Sequence, residues 1–322
     1  MTDAVFRTLS KSDFKAACEC PTKLYYREMH YPSTKESDDY LHMLAEGGYM
    51  VETVAKLMHP AGRAMEYGGD AVENARATRE ALEADKVTLF EATLLSGRKL
   101  ARADILEKDG NTFRLIEVKA KSFSSEENAE RVANGTGNFF RGKRKPNPIS
   151  ATWLPYLEDV AFQVLVLKEM FPDAKIEPYL CLVDKSRRTS MDGLPKWFRI
   201  ERKKNRAGKE TVHRAYYDGD VEQLCAECLV AKISVANEVA EIIGDVEAKA
   251  DEFEASLEPE LQKLPPEPRL DCGKCEYRFK EPAELDGFGE CWGEHASVRP
   301  SVLDLYHASG IAGTDGPLLN EM

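Results

Sequence analysis

The 322-residue sequence predicts an α/β fold, a small mixed sheet flanked by helices, and three observations support it. Two β-patterned runs, 103–107 and 112–118, flank Lys108-Asp109-Gly110-Asn111. Asp-Gly between alternating apolar runs is a hairpin signature. Further strand-like runs lie at 87–95 and 176–183, and helical periodicity marks 40–58, 153–170 and 220–257.

In chain order, Ser10-Lys11-Ser12-Asp13 opens a short helix towards Cys18 and Cys20, and Pro21 ends or redirects it. A polar link, 31–39, leads to the helix over 40–58, which Pro60-Ala61-Gly62 stops. Residues 70–84 read as another helix. The strand at 87–95 joins the hairpin to make at least three antiparallel strands. Residues 121–150 form a long polar segment of the kind that is usually functional or mobile. The 153–170 helix carries Leu154, Leu157, Ala161 and Leu165 at helical spacing, and 176–183 is apolar enough to be a buried strand. After a basic β-like region, Asp220 caps a single long helix to about 257, with Val221, Leu224, Cys228, Val235, Val239, Ile242 and Val246 as its apolar stripe. Leu264-Pro265-Pro266-Glu267-Pro268 is a rigid turn leading into a cysteine-bearing segment over 271–292.

Composition bounds the functional classes. A chain that is 43% hydrophobic and 31% charged buries a real core in one large or two modest domains. It contains no apolar run of membrane-spanning length, and residues 1–15 lack the apolar stretch of a secretory signal. A cytoplasmic location follows, so the 8 cysteines read as metal ligands or core residues before disulfides. The net charge of −12 argues against a general nucleic-acid coat. Residues 141–214 nevertheless hold 17 Lys/Arg against 9 Asp/Glu. Two basic knots stand out: Arg141, Lys143, Arg144 and Lys145, then Arg199, Arg202, Lys203, Lys204 and Arg206 within 199–209. Phe139, Phe140, Trp153 and Trp197 lie among or beside them, a mixture suited to a single-stranded nucleic-acid track or to a solvated loop.

The hairpin carries the first chemical constellation. Glu117 and Lys119 are two residues apart on one strand and share a face, and Asp104 sits on the partner strand. Two carboxylates and an ammonium on one sheet face suit a divalent cation, with the lysine positioning or deprotonating a water. The alternative is an exposed hairpin with a Glu/Lys pair. The second constellation is Cys272-Gly273-Lys274-Cys275 with Cys291. A C-x-x-C turn chelates well, but zinc and iron–sulfur clusters usually take four ligands. Cys20 is the natural fourth and Cys18 its rival. Cys225-x-x-Cys228 lies on the apolar stripe and reads as core packing, as does Cys181.

Together these features resemble the RecB-type branch of the PD-(D/E)xK nucleases that carry an iron–sulfur staple, similar to CRISPR-adaptation exonucleases and the AddB nuclease domain. The resemblance covers roughly residues 9–292 and implies a restriction-endonuclease-like core over 31–263, a staple formed by 1–30 and 264–295, and a tail over 296–322. It implies Asp104, Glu117 and Glu52 as ligands of Mg²⁺ or Mn²⁺, Lys119 and Gln163 as catalytic partners, and Cys20, Cys272, Cys275 and Cys291 as ligands of a 4Fe–4S cluster, with zinc as the alternative. The implied activity is hydrolysis of DNA, as an exonuclease on single strands or duplex ends, with Arg141, Lys143, Arg144, Lys145, Arg202, Lys203 and Lys204 on the backbone. Glu52 stands where the branch often has a histidine after G-x-x-V, and Leu167 where the glutamine motif usually has tyrosine. The spacing from Cys275 to Cys291 is also longer than the branch usually shows. Glu91 and Asp159 are secondary candidates, with fold-stabilising carboxylates as the alternative. The opening wording and the tail also look similar to larger bacterial proteins in which such a module precedes a second domain, so the tail reads as a short version or a truncation. Two rival readings remain: a catalytically weak DNA-end binding module, and a zinc-stabilised interaction protein.

Overall fold

The computed structural model describes residues 6–37, 39–65, 70–134, 139, 149–204, 210–279 and 284–305. The chain divides into two units, one comprising residues up to 7, 12–41 and from 252 onward, the other 8–11 and 42–251. Three of the four boundaries fall inside helices. Among the described residues no helix is long and apolar enough to cross a membrane.

In chain order the elements are β1 (Leu9–Ser10), α1 (Lys11–Glu19), α2 (Thr22–Glu28), α3 (Asp39–Leu57), β2 (Arg63–Ala64), α4 (Ala71–Ala81), β3 (Lys86–Ser96), β4 (Lys99–Asp109) and β5 (Thr112–Phe123). There follow α5 (Ser125–Ala133), α6 (Leu154–Met170), β6 (Lys175–Asp184), β7 (Phe198–Lys204), β8 (Glu210–Tyr217), α7 (Val221–Glu227), β9 (Val230–Ser234), α8 (Ala236–Ser256) and α9 (Gly287–Trp292). Short 3-10 turns occur at 34–37, 194–197, 270–274, 293–297 and 302–304.

The larger unit is a mixed α/β layer structure. Its sheet runs β2-β3-β4-β5-β6-β9, with β1 added beside β4. The β3–β4 and β4–β5 pairs are antiparallel and β5–β6 is parallel, the crossover being made by α6. The hairpin turn is two residues, Gly110-Asn111, between the paired Asp109 and Thr112. Gly110 has φ +58°, a conformation that glycine adopts without steric cost. α6 is buried along Leu157 and 159–167, as its near-continuous apolar sequence requires. On the sheet, Phe90, Ile105, Ile116, Val118 and Cys181 close a core cluster with Ala55 of α3.

The long helix expected over 220–257 is two helices separated by a strand. Asp220 does cap a helix, accepting from the Gln223 amide at 3.0 Å, but α7 ends at Cys228 in a left-handed conformation, φ +49°. β9 then pairs antiparallel with β6. The stripe of apolar residues samples the chain only every three or four positions. A five-residue strand rich in Val, Ala and Ile fits inside that sampling without breaking it. As a result Cys228 is exposed and Cys225 half-buried, its thiol donating to the Leu57 carbonyl at 3.5 Å, so this pair is not core packing. The segment over 121–150 is also less irregular than its composition suggests. Residues 121–123 extend β5 and α5 follows. α5 has no apolar stripe to reveal it, yet Ser124 caps it by accepting from Glu127 N–H at 3.1 Å, a signal visible as Ser-x-x-Glu. The basic region becomes the separate β7–β8 hairpin.

In the smaller unit, α1, α2 and the C-terminal turns pack around aromatic rings. Tyr26 lies 4.7 Å from Tyr31 and 5.1 Å from Tyr277 between ring centroids, and Phe14 lies 5.9 Å from Phe253. Lys35 and the buried Glu276 form an ion pair.

Candidate active site

The site is built where the sheet forks. One edge of β4 is shared by two strands: β1 pairs at Lys99 and Leu100, whereas β5 pairs from Ile105 to Asp109. Beyond Ile116, β5 leaves β4 and continues beside β6. The Val118 N–H thereby loses a ladder partner, and Asp104 supplies the replacement, its Oδ2 accepting at 2.7 Å. Asp104 is thus fixed at the crotch of the fork, opposite Glu117.

Glu117 is 1% exposed and accepts four hydrogen bonds. Oε1 takes Lys11 Nζ at 2.8 Å and Lys119 Nζ at 2.7 Å. Oε2 takes Lys11 Nζ at 3.0 Å and Gln163 Nε2 at 2.7 Å. Lys119 Nζ also meets Asp159 Oδ2 at 2.9 Å. Asp159 and Gln163 are four apart on α6 and so project from one face. Among the described residues Gln163 Oε1, although buried, has no hydrogen-bond partner.

The ionisation of the fork follows from these contacts. Burial and the neighbouring Glu117 carboxylate push Asp104 up to about 7, against the pull of Lys11 and Lys119. Burial also opposes charge on Glu117, but the Lys11 and Lys119 ammoniums overcome it and hold the carboxyl well below its usual range. Burial disfavours the Lys119 charge, and Glu117, Asp159 and Asp104 outweigh it, keeping the ammonium protonated. A lysine in that state donates hydrogen bonds; it does not act as a base.

A cavity of about 610 Å³ opens beside Asp104, with Glu52, Lys56, Glu91, Arg102 and His213 in its wall. Lys56 pairs with Glu52 one turn earlier on α3 and with Glu91 Oε1 at 2.5 Å, and Arg102 Nε meets Glu91 Oε2 at 2.9 Å. Burial and the Glu91 carboxylate raise Glu52 to about 8. Burial acts the same way on Glu91, but its hydrogen bond to Glu52 and the charges of Lys56 and Arg102 bring it to about 2. Glu91 has φ +57°, uncommon for a side chain of its size and the kind of backbone strain that gathers at functional sites.

The fold therefore brings Asp104, Glu117, Lys119 and Gln163 together, with Asp159 in contact and Glu52 and Glu91 on the adjoining wall. Lys11 and Lys56 were not foreseen. Lys56 was legible as the residue four after Glu52; nothing local marks Lys11, whose place depends on β1 joining the sheet. Arg141, Lys143, Arg144, Lys145 and Phe140 lie outside the described residues, as does 205–209. Within the basic stretch, Arg202 pairs with Glu46, Lys203 with Glu201 at 3.6 Å and Arg199 with Asp218 at 3.3 Å, so part of the positive excess is balanced internally. Phe139 is buried, stacked 6.2 Å from Phe123 and edge-on to Trp153 at 5.1 Å, and is not a platform for bases. Trp197 is 48% exposed.

The four cysteines singled out all lie in the smaller unit. Burial raises the Cys275 thiol, with Cys272 and Cys20 near enough to add to the effect. Burial raises Cys291 to about 11, opposed by a 3.2 Å hydrogen bond to the Tyr26 hydroxyl and reinforced by Cys20 and Cys275. Among the described residues, however, no three His, Cys, Asp or Glu side chains are arranged as a finished metal cage, here or in the fork.

No protein-family model matches the chain, and no curated protein matches it. Among solved structures it is similar to an alkaline exonuclease from Laribacter hongkongensis, at 17% identity and a TM-score of 0.22, over 58% of this chain and 66% of that one.

Proposed function

We propose that the chain is a metal-dependent nuclease acting on DNA, an exonuclease of single strands or duplex ends, on a restriction-endonuclease-like core. The observation that carries this reading is the fork itself. It holds a buried Glu117 in four hydrogen bonds, a strand-tied Asp104 beside it and a charged Lys119 bridging Glu117 and Asp159. Burial and a like charge raise Asp104 beside Glu117, the kind of paired-carboxylate environment in which acid, base and metal-binding groups gather. Hard carboxylate oxygens crowded in this way fit Mg²⁺ or Mn²⁺, with Asp104 and Glu117 as ligands and Glu52 at the cavity side. When bound, the ion supplies polarisation of a phosphoryl oxygen and stabilisation of the departing one.

The protein's own groups do the rest. Lys119 Nζ donates to the attacking water or to a non-bridging phosphoryl oxygen and offsets the charge that develops there. Gln163 Nε2 fixes the orientation of Glu117, leaving Gln163's own Oε1 to accept a hydrogen bond from the water. In this reading a phosphate backbone would compete with Glu91 for Arg102 in the cavity wall, and with Glu46 and Glu201 for Arg202 and Lys203 on β7, beside Lys204; Arg141, Lys143, Arg144 and Lys145 join them. The soft thiols of Cys20, Cys272, Cys275 and Cys291 suit a 4Fe–4S cluster in the smaller unit, with zinc as the alternative.

End-labelled single- and double-stranded oligonucleotides, incubated with and without Mn²⁺, test the reading. Metal-dependent shortening that Lys119→Met abolishes is expected. A chain that cleaves neither DNA form under any metal, while still folded, overturns it.

A further inference from the structure

Along the seam between β5 and α6 the side chains meet in steps. Glu117 accepts from Gln163 at 2.7 Å, and Lys119, two residues further along β5, meets Asp159 at 2.9 Å, one turn earlier on α6. The third step differs. Lys121 lies where β5 slips against β6: Lys119 pairs with Leu182 and Ser122 with Val183, so residues 120 and 121 have no counterparts and form a bulge. Bulges of this kind gather beside functional sites. Tyr156, three residues before Asp159, continues the α6 stripe that carries Asp159 and Gln163. Lys121 Nζ lies 4.8 Å from the centroid of the Tyr156 ring and 4.7 Å from that of Trp153, both within cation–π range. Trp153 is itself fixed, edge-on to Phe139 at 5.1 Å and to Phe123 at 6.4 Å. Among the described residues no carboxylate pairs with Lys121. At the step where the first two pairs predict an acid, the seam holds an ammonium between two aromatic faces.

Resting on the nuclease reading above, we propose that Lys121 is a binding site for a backbone phosphate of a single strand lying along this seam, next to the phosphate that reacts at Lys119. Aromatic rings hold the ammonium and its stem without neutralising it, since a ring quadrupole carries no net charge. Lys119, in contrast, is engaged by Glu117 and Asp159. Arg102, Arg202 and Lys203 each meet a carboxylate that a phosphate must displace. Lys121 holds its charge ready with no such competitor. Two residues of strand advance roughly 6–7 Å, about one nucleotide of an extended single strand, so adjacent phosphates match Lys119 and Lys121. A contact to phosphate fixes the position of the strand and carries no sequence preference.

The test follows fluorescein-labelled oligothymidylate binding to the full chain by anisotropy, in divalent-free buffer that keeps the strand intact, over a series of salt concentrations. Lys121→Gln should weaken binding about five- to tenfold at low salt. It should also make the slope of log affinity against log salt shallower by about 0.7, the counterion release of one single-strand phosphate. Lys121→Arg should keep the wild-type slope, which a merely structural role for the side chain would not require. Circular dichroism checks the fold, and Lys121→Met, whose stem still packs on both rings, replaces Lys121→Gln if that variant does not fold. A slope unchanged in the neutral variant, whether or not affinity falls, overturns the Lys121 assignment and leaves metal-dependent hydrolysis standing. A wild type that binds no oligothymidylate overturns it equally. A slope that depends on Lys121, in a chain that cleaves no DNA under any metal, supports the phosphate site and overturns only the hydrolytic reading.

Discussion

Asp104→Asn should make the metal-free protein more stable while destroying its metal site. In the folded chain the Asp104 carboxyl is raised from 3.8 to about 7, by burial first and by Glu117 second. A carboxyl raised on folding lends stability that is complete below its unfolded value, near 4, and lost as pH rises through about 7. At pH 8.5 the wild type must therefore carry an ionised Asp104 against an ionised Glu117. The difference between the two values corresponds to about 4 kcal/mol at most. The higher effective dielectric of a site that relaxes around the new charge trims this to about 2 kcal/mol. Asparagine keeps an oxygen to accept from Val118 N–H and carries no charge to repel Glu117. In divalent-free buffer the variant should melt about 4–8 °C above the wild type at pH 8.5, and within about 2 °C of it at pH 5. It should bind no Mn²⁺. A variant that is less stable at pH 8.5, or whose advantage is equal at both pH values, refutes the proposed crowding of carboxylates.

Further expectations concern the same two regions. Mn²⁺ affinity should rise between pH 6 and 8 as Asp104 and Glu52, raised to about 7 and about 8, lose their protons, and calorimetry showing equal affinity at both ends would contradict this. Gly62→Ala should cost about 1–3 kcal/mol in urea melts, because a methyl there drives into the Phe90 ring at the cavity wall; an unchanged midpoint would mean that the ring is not held. Anaerobically purified protein should be brown, and Cys20→Ala should bleach it and lower its melting temperature. A colourless wild type holding one zinc replaces the cluster with a zinc staple.

Much of this site was legible because its parts are local. Asp104, Glu117 and Lys119 sit on a hairpin declared by Asp109-Gly110, and strand periodicity alone puts Glu117 and Lys119 on one face. Gln163 entered only through the family resemblance, and the four-residue spacing on α6 then puts it on one face with Asp159. Lys11 was hidden because its role depends on a two-residue strand, too short to show a pattern, pairing with residues about 90 positions away. Glu91 and Glu52 were visible as carboxylates, but their shared lysine required knowing that α3 packs beside β3. The split between α7 and α8 escaped for a different reason: β9 is short and apolar, and its strand character comes from the edge of β6, a tertiary partner that no local propensity records. Phe139 misled in the same way, since an aromatic beside charges looks like a stacking platform until Phe123 and Trp153 enclose it.

The most direct measurement of the central assignment is anomalous diffraction from crystals of the full chain soaked in Mn²⁺. A peak is expected about 2.0–2.6 Å from carboxylate oxygens of both Asp104 and Glu117, with Lys119 Nζ about 4–6 Å from the ion, within reach of a bound water. Mn²⁺ bound elsewhere with the fork unchanged, or Lys119 turned to the opposite face of the sheet, would contradict it.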